Sequence, residues 1–458
     1  MAKLNGVLMT EGVPWHHTLR FALPVLAGML LQQLYSTADM LIVGHFAGEA
    51  SLSAVGTTGS FIFMFLAVAF GISAGNGVVV SQCYGADDEH GVRANAAVGL
   101  LLMTGLGIAV TVLGIAVSRP ACKHLISVPP EILEETLLYF RLYALSLVFQ
   151  FGYNAVSSIL RGLGDSAASL YFLLVASILN VALDLLFVAL FQWGVAGAAV
   201  ATGIAQLGSF AAAYVYMHKK YPVFRFKLCD YKWDGRLALE TVRIGMPIVI
   251  QLSIVSVGLT FIQRAVNGFG TAMTASFTVG HRMEMYLNMP CHAFQTTLAT
   301  YTGQNFGAGL IARIHKGIRQ TVLMSLLMTL FISAIVFVFA EDIVVLFGLG
   351  DEAAGYCLSH LRAVAFINIV LSMYIPLFGY FQGVGYSSIP AVVAVAALGT
   401  RVAVTYIFRY SPFLGYSVIW WNGIFGFGAG FLIAWAYYLG GHWMRRSGNT
   451  FLETQRKN

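Results

Sequence analysis

Two aspartates lie inside otherwise apolar stretches, where a carboxylate needs a partner or a function. Asp39 falls within LLQQLYSTADMLIVGHF (30–46), and it is the only Asp, Glu, Lys or Arg between Arg20 and Glu49. Asp184 falls within SILNVALDLLF (177–187). Ionisable side chains inside apolar segments are expensive to desolvate and mark functional sites by default.

Neutral polar side chains share helical faces with both acids. Gln32 and Tyr35 precede Asp39 by seven and four residues, and Asn180 precedes Asp184 by four. At these spacings side chains lie on one face of a helix. Each acid is therefore predicted to sit in a polar patch.

Two further segments offer polar faces. Thr202 and Gln206 are spaced i, i+4 on one segment, and Gln150 and Asn154 have the same spacing on another, followed by Ser157. If the apolar segments cross a membrane as helices, depth can be counted from their outer ends at about 1.5 Å per residue. Asp39, Asp184 and Thr202 then lie at the same depth in the membrane within one helical turn. Asn154 lies nearer the inner face of the membrane.

The depth match predicts one site that holds both carboxylates. Two carboxylates in a dry site cannot both ionise cheaply, so such a pair binds a proton or a hard monovalent cation. The predicted cation- or proton-binding residues are Asp39, Asn180, Asp184, Thr202 and Asn154, with Na⁺ as an alternative at the first four. A structural alternative is that each acid pairs with a buried Arg or a backbone donor, although the segments that carry these residues have no central basic residue.

The composition defines the elements that must position these residues. Of 458 residues, 58% are hydrophobic and 10% charged, against about 25% charged in soluble domains. Apolar runs of the roughly 20 residues that a helix needs to cross a bilayer recur throughout. The sequence predicts an all-α polytopic membrane protein whose first apolar run is a retained span.

Twelve transmembrane segments are predicted. They lie near 17–45, 52–81, 94–118, 134–161, 168–191, 195–217, 238–265, 271–303, 317–340, 353–382, 388–409 and 415–439. A polar stretch divides them into two sets of six. The predicted organisation is an amino-terminal six-helix lobe (1–217), a cytoplasmic linker (218–236), a carboxy-terminal six-helix lobe (237–440) and a cytoplasmic tail (441–458).

The distribution of the basic residues indicates how the chain is oriented in the membrane and does not form a nucleic-acid-binding surface. They cluster in the linker, in the connection that contains Arg313, Lys316 and Arg319, and in the tail, whereas one opposite loop is acidic (EDIVVLFGLGDE, 341–352). The positive-inside rule places both termini in the cytoplasm. We expect a multi-pass protein of the cell inner (plasma) membrane.

The two halves repeat each other. ALPVL (22–26) matches GMPIV (245–249), QCYGA (82–86) matches QNFGA (304–308), and RGLGDS (161–166) matches QGVGYS (382–387), with offsets of 223, 222 and 221. Six spans per half keep both halves in one orientation. Secondary transporters are often built from such repeats, with a substrate site between them.

The second repeat lacks the acid pair. Its positions equivalent to Asp39, Asn180 and Asp184 are Ile262, Arg401 and Thr405. The nearby Arg282 and Glu284 are predicted to be a self-compensating charge pair. The alternative is that they belong to an adaptable, methionine-lined wall.

The sequence resembles the multidrug and toxic compound extrusion (MATE) family along nearly its whole length. STADMLIVG, RGLGD and LNVALD carry the resemblance, together with the duplicated halves. The resemblance implies two six-helix lobes around a V-shaped cavity and a cation-coupled antiporter that exports organic cations. It places the cation site at the residues named above and substrate contacts at Gln32, Tyr35, Gln150 and Asn154.

The pattern is more similar to the DinF-like branch, often proton-coupled, than to the NorM-like branch. The carboxy lobe has Gln251 and Asn368 in its seventh and tenth spans, which argues against a second sodium site. We therefore expect proton coupling more than sodium coupling.

The remaining expectations concern function and partners. The five cysteines form no CxxC pair, and no P-loop or nucleophile–base set occurs, so we expect neither an enzyme nor a cofactor beyond the coupling ion, H⁺ and/or Na⁺. Expected partners are small organic molecules and the bilayer, without nucleic acid, for a monomer. The alternative function is a flippase for lipid-linked oligosaccharides of the same superfamily, which the acidic character of the first-half cavity disfavours.

Overall fold

The computed structural model describes residues 6–125, 128–227, 230–411 and 415–441, and these residues fold into α-helices. The helices are α1 Pro14–Phe46, α2 Gly48–Gly85, α3 Glu89–Pro120, α4 Leu133–Gly162, α5 Ser166–Asp184, α6 Gly194–Lys220, α7 Gly235–Asn267, α8 Thr271–Gly307, α9 Ile311–Val338, α10 Ala340–Leu346, α11 Asp351–Ser372, α12 Ile375–Gly383, α13 Ser388–Phe408 and α14 Val418–Leu439. Within a bilayer a helix satisfies its own backbone hydrogen bonds. This requirement explains why apolar runs of such different composition adopt one structure.

The predicted all-α polytopic fold is confirmed. Each predicted segment coincides with one long helix, except that 353–382 is divided into α11 and α12, and the short α10 was not predicted. Among the described residues, nine helices are long and apolar enough to cross a membrane. Most of the predicted tail, residues 442–458, lies outside the described residues, as does Cys229 in the linker.

The chain divides into two compact units. The amino unit contains the described residues up to Thr10, then Leu23–Val249 and Gly307–Gly309. The carboxy unit contains Glu11–Ala22, Ile250–Phe306 and the described residues from Leu310 onward. The lobe boundaries expected from the sequence stay predictions.

The repeated RGLGDS and QGVGYS motifs form the same turn in the two units. Gly164, after α4, and Gly385, after α12, both have φ +86°, a left-handed conformation that glycine adopts without a steric penalty. The following amides close equivalent bonds, Asp165 N to Leu160 O at 2.9 Å and Tyr386 N to Phe381 O at 2.7 Å. The sequence repeat is therefore a repeat of helix C-terminal capping.

In the amino unit, Asp165 fixes the start of α5 to the end of α6. Its Oδ1 accepts from the amide of Ala168, and its Oδ2 accepts from Tyr216, Lys220 and Tyr221 at 3.0, 2.8 and 2.8 Å. Burial alone would raise the pKa of Asp165, but these hydrogen bonds hold it below its ordinary value.

The described part of the linker is bound to the amino unit. Arg93 of α3 donates to the carbonyl of Val223 at 3.0 Å and to the carboxylate of Asp230 at 2.8 Å. Asp230 also accepts from the amide of Lys227 at 2.7 Å. The linker is thus held by specific contacts after α6 ends.

Candidate acid-pair site

Asp39 of α1 and Asp184 of α5 meet in the amino unit. Their carboxyl groups are close enough to interact electrostatically. Asp184 is fully buried, whereas Asp39 is half-buried. The structure thus brings these two predicted site residues together, and their role in binding an ion stays a prediction.

Asp184 is the last residue of α5 before the helix widens into a π-helical turn, Leu185–Leu190. Such turns are rare and occur frequently at functional sites. The widened turn follows the acid directly, so the local helix geometry changes at the position of the carboxylate. Nothing in the apolar run LLFVAL predicted it.

Asn180 and Thr202 complete the buried polar group. The Asn180 amide donates to the Thr202 hydroxyl at 3.3 Å, and both residues are almost completely buried. Asn180 lies one turn before Asp184 on the same helix. Three of the five predicted ion-binding residues thus come from the facing helices α5 and α6, whereas Asp39 comes from α1 and Asn154 from α4.

Several acceptor oxygens of the site lack a hydrogen-bond donor. Within the described part of the chain, Asp39 Oδ1, both carboxylate oxygens of Asp184 and Asn180 Oδ1 are buried without a hydrogen-bond donor. Buried polar atoms are nearly always partnered. Among the described residues, Asp184 therefore has neither the buried Arg nor the backbone donor of the structural alternative.

Three tyrosines lie beside the pair, and the sequence reasoning named Tyr35 but missed Tyr139 and Tyr143. Tyr35, Tyr139 and Tyr143 are all close enough to interact electrostatically with Asp39. The Tyr35 hydroxyl also interacts with the side chain of Gln206. The signal was present in the sequence, because Tyr139 and Tyr143 extend the polar stripe of α4 at helical spacing.

The remaining predicted residues lie less centrally. The Asn154 amide donates to the carbonyl of Gln150 on its own helix at 2.8 Å. Gln150 interacts with Tyr143, and its Oε1 is buried without a partner among the described residues. Gln32 is exposed, and the described contacts do not bring it to the acid pair.

In the carboxy unit, the position equivalent to Asn180 carries a positive charge. Arg401 of α13, which aligns with Asn180, donates from Nε to Asn422 Oδ1 of α14 at 2.8 Å. The α5–α6 contact of the first repeat thus recurs as an α13–α14 contact. A guanidinium, rather than an acid pair, occupies this part of the second repeat.

The predicted Arg282–Glu284 pair is wrong. Arg282 is exposed, whereas Glu284 is buried and contacts His281 at 3.3 Å and Arg401 at 3.9 Å. Residues two apart on a helix point in different directions, so sequence proximity was misleading. The nearby His360 stacks on Trp420 with ring centroids 4.4 Å apart, and the sequence reasoning missed this cluster.

A family comparison accounts for the duplication. The MatE family model matches residues 24–186 and again 247–407, and the two matches begin at Pro24 and Pro247 of the first repeated motif. Together they cover most of the chain. The chain belongs to the MatE family.

Relatives support this membership along the whole length. The chain is 27% identical over 443 residues to the probable multidrug resistance protein YpnP of Bacillus subtilis, covering 95% of this chain and 97% of YpnP. It is 26% identical over 439 residues to the probable multidrug resistance protein YoeA of the same organism, covering 93% of each.

Solved structures show the same fold. A MOP superfamily transporter from Pyrococcus furiosus superposes with a TM-score of 0.89 at 24% identity, covering 98% of this chain and 99% of the other. The MATE fold and a multi-pass membrane protein follow from these matches and from the apolar helices.

Proposed function

We propose that this protein is a proton-coupled antiporter of the plasma membrane that exports organic, cationic or amphipathic drugs and toxic compounds. The observation that carries the proposal is the Asp39–Asp184 pair, in which three carboxylate oxygens are buried without a donor among the described residues. Two interacting carboxyl groups in a dry site favour the binding of a positive charge. The relatives named multidrug resistance proteins supply the cargo class.

The closeness of the two carboxyl groups supports a proton rather than sodium. A proton neutralises one acid and lets the two groups approach, whereas Na⁺ needs several oxygen ligands around it. Na⁺ at Asp39, Asn180, Asp184 and Thr202 is the alternative. The carboxy unit supports a single coupling site in the amino unit, as in the DinF-like branch. Its buried acid Glu284 is already paired with His281 and Arg401.

The tyrosines around the acids suit cationic cargo. Aromatic faces attract organic cations, and Tyr35, Tyr139 and Tyr143 lie beside the carboxylate of Asp39. A cation and a proton would then stabilise alternative states of one acidic site, which is the basis of exchange transport. A flippase for lipid-linked oligosaccharides would need cationic residues near this site to hold a pyrophosphate.

In this mechanism the protein is a transporter and not an enzyme, works as a monomer and keeps both termini in the cytoplasm. Binding of a proton from outside to the acid pair releases cargo outward. Loss of the proton to the cytoplasm restores the charge that attracts the next cation.

Efflux assays with separately imposed gradients test the proposal. Everted vesicles containing the wild type or Asp39→Asn would be given a proton gradient, then a sodium gradient, with uptake of a fluorescent organic cation as the readout. We expect the proton gradient alone to drive uptake, and only in the wild type. Uptake driven by sodium alone would overturn the choice of ion, and absence of uptake under both gradients would overturn the proposed function.

A further inference from the structure

A basic cavity of about 720 Å³ lies in the carboxy unit, between the beginning of α9 and the end of α14. Its lining includes His315, Lys316 and Arg319 from α9 and Tyr438 and Leu439 from α14. It is remote in sequence from the acid pair, and the transport mechanism above does not use it.

The two helices that form the cavity are joined by a polar contact, and the charged residues that they contribute to its lining are basic. His315 Nδ1 and the Tyr438 hydroxyl are 2.9 Å apart, which joins α9 to α14 across the cavity. Neither helix contains an Asp or Glu. The two helices therefore contribute no acidic residue to the cavity.

Lys316 and Arg319 are available for a ligand. Both are exposed, and the described residues offer them no ion pair or hydrogen bond. Arg313, one turn earlier, differs because its guanidinium donates to the carbonyls of Gly12, at 2.8 Å, and Glu11. Arg313 thus holds the chain, whereas Lys316 and Arg319 do not.

The cavity is at the level of a membrane surface. It is formed by the ends of two spanning helices, and the last turns of α14 carry Trp435 and Tyr437, of which Tyr437 is 43% exposed. Tryptophan and tyrosine concentrate at the level of lipid headgroups. Basic pockets between helices at this level bind anionic lipid headgroups.

An apolar track continues from the basic residues along α9. Leu323 and Leu327 follow Arg319 at four-residue intervals and are 54% and 57% exposed. This spacing keeps Arg319 and both leucines on one helical face. A free anion would use only the basic end, whereas a phospholipid would use both the charge and the leucines.

We propose that this cavity binds an anionic glycerophospholipid, with the phosphate between Lys316, Arg319 and His315 and an acyl chain along Leu323 and Leu327. The lipid would bridge the start of α9 and the end of α14. Phosphatidylglycerol fits the charge, and neutral phosphatidylcholine of equal chain length is the comparison that isolates it.

Native mass spectrometry of the purified full-length protein tests the proposal with titrated phosphatidylglycerol or phosphatidylcholine. The double variant Lys316→Gln/Arg319→Gln removes the free charges. The matched control, Lys219→Gln/Arg236→Gln, removes two exposed basic residues at other helix ends. We expect the wild type and the control to retain phosphatidylglycerol over phosphatidylcholine, and the cavity variant to bind it about tenfold more weakly.

Three results would overturn the proposal. The first is equal retention of the two lipids by the wild type, and the second is equal loss of phosphatidylglycerol in the cavity variant and the control. The third is displacement of phosphatidylglycerol by equimolar glycerol phosphate, which would indicate a site for a free anion. Leu323→Ser/Leu327→Ser tests the acyl track and should weaken lipid binding while leaving glycerol phosphate binding unchanged.

Discussion

At the scale of single residues, the burial of Asp184 is the feature that most constrains function. Its carboxylate has no hydrogen-bond donor among the described residues and faces a second carboxyl group. A fully ionised pair would be strongly destabilised in this environment. The charge state of the pair must therefore change with the ligand that it holds.

Asp39→Asn should abolish gradient-driven efflux, with a loss of at least about tenfold, while expression and folding persist. The amide keeps the shape of the side chain but cannot exchange a proton. Asp342→Asn, which removes an exposed acid in α10, is the control and should transport normally. Efflux by Asp39→Asn at the wild-type rate under the same gradient would remove Asp39 from the coupling role.

Asp184→Asn should move the pH optimum of transport to lower values. Removal of a neighbouring like charge makes ionisation of the remaining acid easier, so Asp39 takes up its proton only in more acidic conditions. The measurement is the rate of dye efflux against pH in the wild type and the variant. Superimposable pH profiles would mean that the two carboxylates do not act as a pair.

At the scale of the helices, the α5–α6 contact depends on a buried ionised residue. Asp165→Asn should keep the helix cap, since Asn caps as well as Asp, but should weaken the hydrogen bonds from Lys220, Tyr216 and Tyr221. Hydrogen bonds to charged groups contribute about 1.5–3 kcal/mol each. We expect a loss of stability of about 2 kcal/mol in thermal unfolding.

The pH dependence of this contribution has a defined sign. The pKa of Asp165 is below its ordinary value, so the stabilisation is present above the unfolded-state pKa, about 4, and is lost as the pH falls through the folded-state pKa. The Asp165→Asn variant should not lose this stabilisation when the pH is lowered, because it has no carboxylate to protonate at this position. Asp88→Asn is the control, because the exposed Asp88 only caps α3 by accepting from Gly91 N at 2.8 Å. The stability of the protein should hardly change in this variant.

Helix α1 contains a proline between its ends, where the backbone hydrogen bonding is weakened. Pro24 lies inside the continuous helix α1, Pro14–Phe46, and removes a backbone donor there. A change of charge at Asp39 should shift α1 against α5. Spin labels at exposed Leu34 and Ile178, in a background without native cysteines, should report distances that change between pH 5 and 8.

The expected change in these distances is partial. To shift the ratio of two conformers from 1:99 to 99:1, protonation must favour one conformer by about 5.5 kcal/mol. Protonation of one half-buried carboxylate does not readily supply so large a difference in free energy. The same labels in Asp39→Asn should show distances that no longer respond to pH. Equal responses in the wild type and the variant would locate the switch elsewhere.

At the scale of the whole molecule, the periodic and repetitive parts of the structure were predictable. The twelve apolar segments, the recurring capping turns and the proximity of Asp39 to Asp184 all follow from local patterns in the sequence. The break between α11 and α12, the π-helical turn after Asp184 and the Glu284–Arg401 contact did not. These features depend on packing between distant segments, which hydrophobic periodicity does not encode.

Orientation in the membrane is the property of the whole molecule that the sequence predicts and that labelling can test. The basic linker should be cytoplasmic and the acidic loop around Gly348 external, because positively charged loops stay inside. A short epitope inserted at Lys227 should therefore be labelled only in permeabilised cells. An epitope at Gly348 should also be labelled in intact cells. The opposite pattern would invert the topology and, with it, the direction in which proton uptake at the acid pair releases cargo.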